Sequence, residues 1–245
     1  MTLSNNILGP RFNKGDITTF IFDESELTLR LPVIPYNKNT VDDVSPLKDY
    51  RNADTRGWDT NDQERPCNQL ASQIWCYEDA KTLDNVAECQ LYLGLVEVTE
   101  DQRKANTLLS YADFEELMIE WHHYSFGERH SEINAQNPEW PAKLNRYHGR
   151  SVPKENLNWF VVQLSLSSES KPVQLVMIPV NNRFVLMAFI EIKSLHYAGR
   201  TNPYSDEQLK QFERDLFDDF LSHIKIEYSP EIIATIQSLK NKTPA

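Results

Sequence analysis

Residues 173–193 read VQLVMIPVNNRFVLMAFIEIK, and this stretch sets the fold class. Val173–Val180 and Arg183–Lys193 are strand-length runs of aliphatic, β-branched and aromatic residues, split by Asn181-Asn182. Two such runs around a pair of turn formers predict a tight antiparallel hairpin, with the asparagines chosen for their tolerance of positive φ. Both arms are apolar on both faces. A strand with one wet face alternates, so the hairpin is expected to be covered on both sides. Asn158–Leu166 reads as a third strand, which makes a meander.

Helices follow the meander. Ser205-Asp206-Glu207-Gln208 is a capping box, in which the serine bonds the amide three residues on and the glutamine reaches back. Behind it Leu209, Phe212, Leu216, Phe217, Phe220, Leu221 and Ile224 form one apolar stripe at helical spacing, which predicts a helix over 205–225. Ser229-Pro230-Glu231 starts a final helix by cap-and-proline logic, with Ile232, Ile233, Ile236 and Leu239 inward.

Towards the N-terminus, Ile17–Phe22 and Leu27–Leu31 predict a hairpin, the second arm alternating strictly with its leucines on one face. Residues 36–65 are polar and loop-like. Pro66–Asp79 reads as a helix begun by its proline, with Leu70, Ile74 and Tyr77 as the buried stripe. A short helix near Leu83–Cys89 and a strand over Gln90–Val98 come next. Ser110 and Asp113 open a helix whose inner face is Phe114, Leu117, Met118 and Trp121, ending near Tyr124; residues 125–156 are irregular. Strands followed by helices imply an α+β fold: an antiparallel sheet, with an N-terminal hairpin and a C-terminal three-strand meander, packed by amphipathic helices. One domain over 1–245 is the leading expectation. The alternative is two α+β halves, 1–124 and 157–245, joined by the irregular segment.

The chain of 245 residues carries a net charge of −11, and 40% hydrophobic residues suffice for a folded core. Residues 157–204 hold only 4 basic and 2 acidic side chains, so the acidity lies elsewhere. A field of this sign repels phosphate and anionic lipid, so neither a nucleic acid nor a membrane is expected as partner, and a basic protein is. Cys67, Cys76 and Cys89 include no CxxC spacing and predict neither disulfides nor a zinc knuckle. No positively charged start precedes an apolar run, and a cytoplasmic location follows as the expectation.

The seven glycines are scattered, with no GxGxxG or Walker loop, and neither GxSxG nor HExxH occurs. No cofactor is expected. The densest chemistry is EELMIEWHHYSFGERH, in which Glu120 and His123 form an ExxH pair one turn after Glu116, with His130 beyond. Carboxylate and imidazole at helical spacing suit a first-row metal, so Glu116, Glu120, His123 and His130 are the candidate ligands, and Glu120 and His123 the candidate catalytic pair. The competing reading is a solvated helix face ending in histidines that suit the dipole. Cys67, at the start of the expected 66–79 helix, would gain thiolate character there. Aromatics and arginines crowd the loops, with Trp58, Trp140, Arg146, Tyr147 and Arg150 foremost, and these are the residue types that anchor protein interfaces. Together these features predict a non-catalytic protein-binding domain, of the kind an immunity or antitoxin-like inhibitor of a basic partner would be. The alternative is a metal-dependent hydrolase built on the 116–130 cluster.

Overall fold

Leu27, Leu29 and Leu31 alternate with Thr28 and Arg30, and in the computed structural model the leucines form a buried row on strand β3 (Ser25–Leu31). The structure describes residues 6–34, 40–60, 66–103, 107–122, 162–168, 171–195 and 202–242. Strand β2 (Asp16–Ile21) pairs antiparallel with β3, its Thr19 hydroxyl 3.2 Å from that of Thr28 across the ladder. Strand β11 (Ile224–Tyr228) pairs on the other side of β3, and the three form one sheet in the order β11-β3-β2.

The second sheet is eight-stranded and antiparallel throughout its pairs. Its main path is β1 (Ile7–Leu8), β6 (Pro66–Asp79), β7 (Asn85–Glu97), β10 (Phe184–Ser194), β9 (Lys171–Pro179) and β8 (Val162–Ser168). Strands β4 (Val41–Val44) and β5 (Asp59–Thr60) also pair with β6, so its outer edge is tiled by three short pieces: Asp59 opposite Cys67, Val41 opposite Ile74, and Ile7 opposite Asp79. The β7–β10 ladder runs from Glu97 opposite Phe184 to Ala87 opposite Ser194, and joins sequence from both sides of residues 123–161.

Four α-helices complete the described fold: α1 (Glu100–Arg103), α2 (Tyr111–His122), α3 (Asp206–Ser222) and α4 (Pro230–Lys242). The capping box of α3 is present as expected, Ser205 Oγ accepting from the Gln208 amide and Gln208 Oε1 from the Ser205 amide. Leu209, Phe212, Leu216, Phe217, Phe220 and Leu221 pack with both sheets in one cluster. Trp75, Tyr77, Phe12, Phe184 and Phe220 lie there nearly or wholly out of solvent. Tyr77 meets Phe212 edge-on at 4.9 Å, a favoured aromatic arrangement. A second cluster draws Val96, Met177 and Val185 together with Phe114, Leu117 and Met118 of α2 and Ile232 and Ile236 of α4. Val185 sits between Phe184 and Leu186 of the first cluster, so apolar groups pack on both faces of this part of β10, as the double-sided pattern of 173–193 requires.

Several expectations are corrected. Residues 66–79 are a strand and not a helix. From Ala71 onward the buried positions are Ala71, Gln73, Trp75, Tyr77 and Asp79, a period of two, hidden in the sequence because two of the inward residues are polar and Ile74 outside is apolar. The expected helix at Leu83–Cys89 is a turn followed by the start of β7. Residues 41–44 and 59–60, read as loop, are edge strands on β6. Ile224 leaves the helical stripe to begin β11, and Ile233 faces out with 45% of its surface exposed. The N-terminal hairpin and the meander belong to different sheets. Neither Asn181 nor Asn182 has positive φ; Asn181 turns the chain through its side chain, Oδ1 accepting the amides of Arg183 and Phe184 at 2.8 Å each. Among the described residues no helix is long and apolar enough to cross a membrane.

Candidate functional site

The apolar run of β7 ends in Glu97, and that of β10 begins just after Arg183, so the ladder delivers one carboxylate and one guanidinium to the same end of the long sheet. Val98 extends the pairing, its amide donating to the Arg183 carbonyl at 2.8 Å. Arg183 Nε then meets Glu97 Oε1 at 2.7 Å, with the carboxylate side chain 9% exposed and the guanidinium side chain 35%. The other carboxylate oxygen accepts from the Thr55 hydroxyl at 2.5 Å, and Arg183 Nη2 donates to the Ala53 carbonyl at 2.9 Å. A carboxylate this far from water needs its oxygens filled, and both are.

These bonds fasten the 50–58 segment to the sheet end. Trp58 stacks on Phe184 at 5.8 Å and meets Tyr50 edge-on, and the Tyr50 hydroxyl accepts from Asn68 at 2.6 Å. Within the segment Arg56 folds back on Asp54 at 2.7 Å and holds that carboxyl well below its usual range, to about 2.

Beyond β7 the chain turns into α1. Thr99 and Gln102 cap each other, the Thr99 amide donating to Gln102 Oε1 at 3.1 Å and the Gln102 amide to Thr99 Oγ1 at 3.4 Å. The turn brings Arg103 back so that its Nε donates to the Val98 carbonyl at 3.3 Å. Desolvation draws the Arg103 guanidinium below its ordinary pKa. Asn182 closes the far wall, its Oδ1 accepting the Thr107 hydroxyl at 2.8 Å and the Leu108 amide at 2.9 Å. The result is an open pocket of about 460 Å³ lined by Asp23, Glu24, Glu97, Val98, Thr99, Glu100, Arg103, Asn181, Asn182 and Arg183. That volume lies in the range of small-ligand and side-chain sites. Asp23, Glu24 and Glu100 are exposed at its rim. Glu97 and Arg183 neutralise each other, which leaves an acidic surplus facing solvent.

Of the residues singled out in the sequence, Trp58 is half-buried against the core and stacks on Phe184, and it does not line this pocket. Trp140, Arg146, Tyr147 and Arg150 lie outside the described residues, as do His123 and His130. Glu116 and Glu120 are exposed on α2. Among the described residues no group of three or more His, Cys, Asp or Glu side chains is placed to hold a metal ion. Cys67 is half-buried in β6 and so does not open a helix; burial, then the charge of Asp59, pushes its thiol up, the opposite of what a nucleophile needs. In the sequence the pocket residues read only as strand ends and turn. The signal that marks them is the placing of opposite charges, Glu97 and Arg183, at the ends of two of the most apolar runs in the chain. Comparison with known proteins finds no matching family model, no similar curated protein and no similar solved structure.

Proposed function

We propose that this is a non-catalytic binding protein that captures a basic partner protein at the end of the long sheet. One observation carries the reading: an acidic-rimmed pocket of about 460 Å³ opens over the Glu97–Arg183 pair, and the half-buried Trp58 packs on Phe184, the next residue along from Arg183. Interfaces concentrate their energy in pockets next to aromatic side chains, and a surplus of carboxylates steers a cationic partner and fixes its orientation. The net charge of −11 adds a long-range field of the same sign. An inhibitor that covers a basic cleft, in the manner of an immunity protein, is the role this surface suits.

The test begins with capture of partners from a native lysate at low and moderate salt. The expected result is one stoichiometric basic protein that is lost as salt rises. Glu24→Lys and Glu100→Lys, both on the exposed rim, are then expected to slow association with that protein by about tenfold while leaving thermal unfolding in place. A sample that retains no protein at either salt, or a partner indifferent to both reversals, overturns the reading.

A further inference from the structure

The same pocket presents more hydrogen-bond donors than acceptors on its floor, and that asymmetry goes beyond attraction of a basic surface. Arg103 spends Nε on the Val98 carbonyl, and its Nη groups make no hydrogen bond among the described residues, Glu100 acting on it through charge alone, although the side chain is partly withdrawn from water. Asn181 is 3% exposed and lines the pocket. Its Oδ1 must accept from two amides, which fixes the orientation of the side-chain amide and leaves Nδ2 without a hydrogen-bond partner among the described residues. Asn182 is fixed in the same sense by the Thr107 hydroxyl and the Leu108 amide, and its Nδ2 likewise has no hydrogen-bond partner among the described residues. Among the described residues the one carboxylate on the floor, Glu97, already has both oxygens engaged. Donors without acceptors in a partly desolvated cavity are a receptor for an anion, and planar guanidinium and amide groups match a carboxylate best. The exposed rim of Asp23, Glu24 and Glu100 refuses a dianion such as a phosphate ester and welcomes a cationic nitrogen.

We propose that the pocket binds a carboxylate that carries a cationic nitrogen a few atoms away, the carboxylate on Arg103, Asn181 and Asn182 and the cation at the acidic rim. This chemistry belongs both to a free amino acid and to a chain terminus ending in a basic residue. It rests on the partner-binding reading insofar as the terminus would be that of the captured protein.

The experiment is an amide NMR titration of the full chain with free lysine, Nα-acetyl-lysine and Nα-acetyl-lysine amide. Saturable shifts at Val98–Arg103 and Asn181–Arg183 are expected with both acids and not with the amide. Nα-acetyl-lysine binding at least as tightly as lysine assigns the chain terminus; lysine binding about tenfold more tightly assigns the free amino acid. Asn182→Asp keeps the oxygen that holds Thr107 and Leu108 while replacing the donor by a like charge, and is expected to weaken the acids by about tenfold or more, as is Arg103→Gln. Equal shifts with the amide, or no saturable shift with either acid, overturn the proposal. Where the titration assigns the chain terminus, capture of a basic protein that is unchanged by Asn182→Asp overturns that assignment, while leaving the partner-binding reading standing.

Discussion

Glu97 is the residue on which the site depends. Its two oxygens tie together three parts of the chain: the end of β7, the Thr55 hydroxyl and the Arg183 guanidinium. Glu97→Gln preserves the shape and removes the charge, leaving Arg183 with a neutral neighbour in a half-buried place. A loss of about 2 kcal/mol in chemical denaturation is expected, below the cost of stranding a fully buried charge because Arg183 retains some contact with water. Asp79 is a second such residue, and its contribution is set by pH. Its carboxylate accepts from the Tyr204 hydroxyl at 2.6 Å and from the Thr82 and Lys81 amides at 2.9 Å each, bonds that bring its pKa down to about 2. A folded value below the ordinary one stabilises the native state fully above about pH 4, and that stabilisation drains away as pH falls towards the lowered value. Wild type is therefore expected to be more stable than Asp79→Asn near neutral pH, with the gap clearly narrower at about pH 2.5 and vanishing only below the lowered pKa, read from denaturation midpoints at the two pH values. Tyr204, pushed up to about 12 by burial first and then by its bond to Asp79, keeps its proton throughout this range.

At the scale of elements, the start of α3 and the turn between β6 and β7 make opposite expectations. Ser205→Ala removes one arm of a formed capping box and is expected to lower stability by about 1 kcal/mol. Leu83 sits at φ 60 with 63% of its surface exposed, a backbone region that disfavours side chains. Leu83→Gly is expected to raise the melting temperature, with a gain of up to about 1 kcal/mol. These two elements also mark what could be read in advance. The α3 cap and stripe were legible because local bonds and a period near 3.6 specify them without help from the rest of the chain. β6 was not, because Leu70, Ile74 and Tyr77 imitate a helical stripe, and the bulge between Gln69 and Ala71 breaks the alternation that would have betrayed a strand. Pro66, read as a helix starter, instead opens a strand at its edge-paired end. The site was only half legible. Trp58, picked out by residue type, packs on Phe184 next to the lining Arg183 and is not itself a lining residue, whereas Glu97, Arg103 and Asn182 meet only through pairings between distant strands and turns, which no local pattern announces.

For the whole molecule, the β7–β10 ladder is the seam. It binds the N-terminal strands to the C-terminal meander along the full length of β10, and both apolar clusters draw residues from both strands. Tryptophan fluorescence and far-ultraviolet circular dichroism are expected to report one coincident unfolding transition. Amides at the centre of β7 and β10, such as Leu93 and Ala188, are expected to exchange with solvent only through global opening, and those of β1 and β5 far sooner. Two separate transitions, or early exchange at Leu93, would count against a single cooperative unit.

The tiled outer edge of β6 has a consequence for how the protein comes into being. A bare strand of this length would offer a row of unmet amides and carbonyls to any neighbouring chain, the template on which fibres grow. Here all three cover pieces precede β6 in the sequence. As the chain leaves the ribosome, each is made before the strand it shields, so β6 emerges into a solution that already holds its own covers.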